Sequence, residues 1–165
     1  MRTNPTKFMM VLLILSMCLT VLAPMALAAE VRSGEIPVTV SLSGSPPTVA
    51  EDFKIILKAD HRDFPMPEGS ANGVFSMNIK GANTAKLPQI NFSSLGIYNY
   101  TIFQETGTHE RGTYDNRVYN LIVYVTNAEN GSGLETTVIL YKPGETKKLD
   151  EVIFHNHYDP EPLLN

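Results

Sequence analysis

Between Ile36 and Asn156 apolar and polar residues alternate with a period of two, and no stretch carries the three-to-four-residue spacing of an amphipathic helix. The run from Ile36 to Ser43 puts Ile36, Val38, Val40 and Leu42 on one face. Residues 53–59 put Phe53, Ile55 and Leu57 inward and Lys54 and Lys58 outward, and Phe75, Met77 and Ile79 continue the pattern. Residues 87–92, 97–104, 118–126, 134–141 and 152–156 are rich in Val, Ile, Tyr, Phe and Thr, and predict further strands. In the second of these, Tyr98, Tyr100, Ile102 and Gln104 share a side. Turn residues separate the runs, among them Gly44-Ser45-Pro46-Pro47, Ser93-Ser94-Leu95-Gly96 and Asn130-Gly131-Ser132-Gly133. About eight short strands with nothing helical between them predict an all-β fold, an antiparallel Ig-like β-sandwich.

The first 28 residues stand outside this pattern. Arg2 and Lys7 precede an apolar run from Phe8 to Leu22, and small residues follow at Ala26-Leu27-Ala28. That is the layout of a secretory signal peptide, and the run is short of the ~20 residues that span a bilayer. Cys18 is a poor lipoprotein site, because Met17 stands where a small residue is expected. The expected organisation is a signal peptide over 1–28, a lead-in over 29–35, a sandwich over 36–158 and a loose tail over 159–165. The expected location is extracellular, with no membrane segment after cleavage.

Removing residues 1–28 takes away Arg2, Lys7 and the only cysteine. Eleven basic residues then face 17 acidic ones, a net charge of −6. With its basic residues scattered, the chain is not expected to bind nucleic acid. Without cysteine it has no disulfide, thiol nucleophile or thiolate metal site, so the fold must rest on its core or on another covalent constraint.

Other chemistry is sparse. His155 and His157, two apart on a strand, are weak candidates for a shared metal ion, and solvent-exposed histidines account for them better. Asp60, His61, Arg62 and Asp63 form a loop cluster, and Asp115 follows Tyr114, both explained by solvation. No nucleophile elbow or paired-carboxylate signature is present. No enzyme activity and no cofactor are therefore expected. The sequons at Asn91, Asn99 and Asn130 are accidental if the chain is bacterial. The seven tyrosines could line a carbohydrate-binding face, but cross-strand packing explains most of them.

The phrases Pro65-Met66-Pro67-Glu68-Gly69, Gly96-Ile97-Tyr98-Asn99-Tyr100-Thr101-Ile102, Thr113-Tyr114-Asp115, Val123-Tyr124-Val125-Thr126-Asn127 and Ile153-Phe154-His155-Asn156, in this order, resemble one family. It is the streptococcal pilin isopeptide linkage domain, a secreted β-sandwich of Gram-positive surface proteins. The resemblance implies a Lys on the first strand, an Asn on the last and an assisting Glu between them, which join Lys to Asn and release ammonia. Burial favours the chemistry: desolvation leaves the amine neutral and nucleophilic and keeps the acid protonated beside the amide oxygen. Carried onto this sequence, the Asn falls on Asn156. The Glu falls on Gln104, unless a bulge shifts the register to Glu105. The Lys falls on Val40. The fold is thus expected with its cross-link chemistry lost.

The resemblance implies a non-catalytic structural or adhesive surface module, whose partners would be other surface or pilus proteins or host ligands. The alternative is a secreted module that binds a glycan or a partner protein through loops at one end of the sandwich. The chain ends at Pro162-Leu163-Leu164-Asn165 with no Leu-Pro-x-Thr-Gly sorting signal, so sortase anchoring is not expected.

Overall fold

A computed structural model describes residues 30–163, and the expected signal peptide lies outside the described residues. Eleven strands and no helix are found among them. Five form one antiparallel sheet in the order β10 (Leu134–Tyr141), β9 (Val118–Asn127), β7 (Gly96–Gln104), β3 (Asp52–Ala59) and β4 (Val74–Lys80). Four form the second, in the order β5 (Asn83–Leu87), β2 (Ile36–Gly44), β11 (Val152–Tyr158) and β8 (Gly112–Thr113). The short strands β1 (Val31–Arg32) and β6 (Asn91–Phe92) pair with each other.

The alternation in the sequence becomes the two faces of each sheet. Val38 and Val40 from β2, Ile55 and Leu57 from β3, Ile102 from β7, Leu121 and Val123 from β9, and Val152 and Phe154 from β11 are at most 1% exposed and fill the space between the sheets. Sheets stacked in this way bury their inner side chains and leave the alternate ones in water.

Three features depart from the expected layout. The strand predicted over 87–92 is split: β5 ends at Leu87, Pro88 has no N–H to donate, and pairing resumes only at Asn91. The lead-in contains β1, and Ser33 closes it by exchanging bonds with Ile90 (2.9 and 3.0 Å). Within the antiparallel sandwich, β11 runs parallel to β2, placing Phe154 beside Val40 and Asn156 beside Leu42. No hairpin can join a parallel pair, so period-two alternation does not disclose it.

Gly44, which ends β2, has φ +75°, and a Cβ there would lie 2.1 Å from the Tyr158 carbonyl oxygen. Only glycine lets the first strand leave that close to the last.

Candidate functional site

Gln104 closes β7 in the five-stranded sheet and Asn156 lies in β11 of the other sheet. Both point inward, with 5% and 1% exposure. Parity explains the placement, since Gln104 follows Tyr100 and Ile102, and Asn156 follows Val152 and Phe154. The two carboxamides bond reciprocally across the core. Gln104 Nε2 donates to Asn156 Oδ1 (2.8 Å), and Asn156 Nδ2 donates to Gln104 Oε1 (3.0 Å).

A second donor reaches the same oxygen: the backbone N–H of Asp115 bonds Asn156 Oδ1 at 2.9 Å. Asp115 itself is held firmly. Its carboxylate, 4% exposed, accepts from the His155 N–H (2.6 Å), the Arg117 N–H (2.9 Å) and the Arg117 guanidinium. Burial alone would push this carboxyl up, but the Arg117 side-chain bond and the two backbone N–H groups outweigh it and hold it below its ordinary value. Asp115 is thus a fixed part of the interior wall, and solvation in a loop does not account for it. The signal for its role lay in spacing, since Arg117 two residues on completes a tight turn around the carboxylate.

The amide carbon of Asn156 thus sits under two N–H donors, an arrangement that would stabilise negative charge on its oxygen. Val40 lies on the same inner face of the adjacent strand, 1% exposed and opposite Phe154. A side chain there would have to reach two residues along the strand to meet Asn156, about 6.6 Å. Valine cannot, and it brings no nucleophile. Lys54 and Lys58 point outward, and Lys54 pairs at the surface with Glu105 (2.8 Å). The register runs unbroken through Ile55 and Gln104, so no bulge turns Glu105 inward.

A carboxylate with two phenols stands beside this site. Glu51, in the loop before β3, accepts from the Tyr114 hydroxyl (2.8 and 2.7 Å) and the Tyr158 hydroxyl (2.6 Å). Burial, then the bond to Glu51, push both phenols above their ordinary value. The loop before β3, the segment following β8 and the last strand are fastened at one point. A Cβ on Gly107 would meet the Tyr114 ring at 2.3 Å and Glu51 Oε1 at 2.5 Å, so the segment can pass only as glycine.

Residues 36–159 match the model of the family described as FctA, Spy0128-like isopeptide containing domain. The chain belongs to this family. Solved structures with the same fold as this Spy0128-like domain include two major pilin proteins of Streptococcus pyogenes. They are T3.2 (22% identity, TM-score 0.55) and T-13 (19% identity, TM-score 0.53). Each comparison covers 79% of this chain and 54% of the pilin. A further Streptococcus pyogenes major pilin is 20% identical with TM-score 0.51, over 80% of this chain and 51% of that one. The chain therefore spans about half the length of these structures. No curated protein sequence matches it.

In this Spy0128-like domain the two histidines lie on the outer face of β11, both exposed. His157 engages Ser43 Oγ through Nδ1 (2.9 Å) and approaches Asp159 through Nε2 (3.7 Å). His155 contributes its backbone N–H to the Asp115 carboxylate. Of the seven tyrosines, Tyr100, Tyr119 and Tyr158 are buried, and Tyr119 crosses the sheets to bond the Ile153 carbonyl (2.6 Å).

Proposed function

We propose that this chain is a secreted, non-catalytic structural module of a Gram-positive surface assembly, in which a carboxamide pair stands where the family forms its cross-link. The observation that carries this reading is the reciprocal bond between Gln104 and Asn156, with Val40 completing the constellation. Two of the three reacting positions, 40 and 104, have lost their chemistry. Valine has no amine to attack the Asn156 carbon, and a glutamine carboxamide has no acidic proton to pass to the departing ammonia. Asn156 and its two N–H donors remain as a polarised amide without a nucleophile. The family's link would join the first strand to the last within one sheet, whereas the hydrogen bonds here tie the middle strand of one sheet to the last strand of the other.

Intact-mass spectrometry of the purified protein tests this. The expected mass is the one its sequence specifies. A deficit of one ammonia, with a cross-linked peptide containing Asn156, contradicts it.

A further inference from the structure

A sheet face open to water ordinarily carries polar residues at its outward positions. The outward face of the five-stranded sheet differs. Ile56, Phe103, Ile122 and Ile139 all point outward, and Ile56 is only 8% exposed. Between these apolar residues runs one polar row. Lys58, Thr101, Asn120 and Tyr141 stand directly opposite one another across β3, β7, β9 and β10. At ~4.8 Å per strand the row is roughly 14 Å long.

Two adjoining concavities lie over this row and share Asp60 and Thr101. One passes over Lys58, Phe103 and Val118, the other over Asn99, Asn120 and Tyr141. Asp60 is set beside the row by its backbone N–H, which bonds the Asn99 carbonyl at 3.0 Å. Among the described residues, the side chains of Lys58, Asp60, Asn99, Thr101, Asn120 and Tyr141 form no hydrogen bond or ion pair within the chain, in contrast to the bonded Tyr98, Tyr100 and Gln104 of the same sheet. The groove therefore presents two carboxamides, two hydroxyls, one ammonium and one carboxylate, all with free bonding capacity. Lys58 and Asp60 cancel in charge, which suits a neutral ligand rich in hydroxyls that both donate and accept. Tyr141 offers a ring at one end of the row, and Phe103 with Val118 offers an apolar wall at the side.

We propose that this face is a binding groove for a neutral oligosaccharide bearing N-acetyl groups. Its hydroxyls meet Asp60, Asn99 and Asn120, a pyranose face lies on Tyr141, and an acetamido methyl packs against Phe103 and Val118. This places recognition on a sheet face and away from the sandwich-end loops, and it does not depend on the state of Val40, Gln104 and Asn156.

The test is a titration of 15N-labelled protein with chitotetraose, followed by backbone amide shifts. Shifts should be confined to residues 58–60, 99–103, 118–122 and 141. Cellotetraose, which lacks the acetamido groups, should bind at least about tenfold more weakly, and Asn120→Ala and Tyr141→Ala should each weaken chitotetraose about tenfold or more. Should Tyr141→Ala fail to fold, Asn120→Ala decides, since that side chain has no bond within the chain to lose. No shifts at millimolar chitotetraose overturn the proposal, as do equal binding of cellotetraose or retained binding in Asn120→Ala. Concentration-dependent shifts on this face without sugar, unaffected by chitotetraose, overturn it in favour of a second copy of the chain.

Discussion

Gln104 and Asn156, on strands of opposite sheets, bond each other twice, at 2.8 and 3.0 Å, in a core otherwise filled by aliphatic and aromatic side chains. A pair of this kind stabilises only while complete. Removing one partner leaves a buried carboxamide unsatisfied at about 1–3 kcal/mol, whereas replacing both with apolar groups removes that penalty. Asn156→Leu should therefore cost more than Gln104→Leu, because it also strands the Asp115 N–H. The double variant should cost less than the sum of the singles, with a coupling of about 1 kcal/mol or more. Urea unfolding of the four proteins measures this, and simple additivity contradicts the paired arrangement.

The Asp115 carboxylate makes stability depend on acid. Its folded pKa lies below the unfolded value of 3.8. The bound, ionised form thus contributes stability above the unfolded pKa, and that contribution is lost as pH falls through the folded pKa. Unfolding free energy should drop below about pH 4. Asp115→Asn should lower stability at neutral pH and flatten this acid limb. An unchanged acid limb in the variant would assign the effect to other carboxyls.

Glu51 makes the opposite demand on its two phenols. Tyr114 and Tyr158 have raised folded pKa values, so their contribution is present below the unfolded value of 10.0 and is lost as pH rises through the folded values. Glu51→Gln replaces two charge-assisted bonds by neutral ones and should cost roughly 1–3 kcal/mol at pH 7. Gly107→Ala should cost about 1–3 kcal/mol by forcing its Cβ into the Tyr114 ring. Thermal unfolding with the near-ultraviolet tyrosine signal follows both, and a neutral Gly107→Ala would show that the segment can move aside.

The sandwich was legible because each sheet buries one face, and a one-residue slip would put Val38, Val40 or Ile102 in water. The same parity places Gln104 and Asn156 in the core. What the sequence does not display are relationships between strands. The parallel pairing of β2 with β11, the Asp115 N–H on Asn156 and the clasp of Glu51 with Tyr114 and Tyr158 join residues 41 to 114 positions apart, and no local pattern encodes them. Outward Ile56 and Phe103 were equally hidden, since alternation assigns a face and not what lies on it.

The most direct test of the central claim is to put the lost groups back. In Val40→Lys with Gln104→Glu, a lysine stem of roughly 6 Å reaches along β2 toward Asn156, and the restored acid faces the amide oxygen. Val40→Lys alone should be strongly destabilised by an unpaired buried ammonium. The double variant should regain stability, resist unfolding and weigh one ammonia less than its sequence specifies, with the introduced lysine and Asn156 recovered in one cross-linked peptide. A folded double variant of unchanged mass would mean that position 40 does not meet Asn156, and would contradict the account.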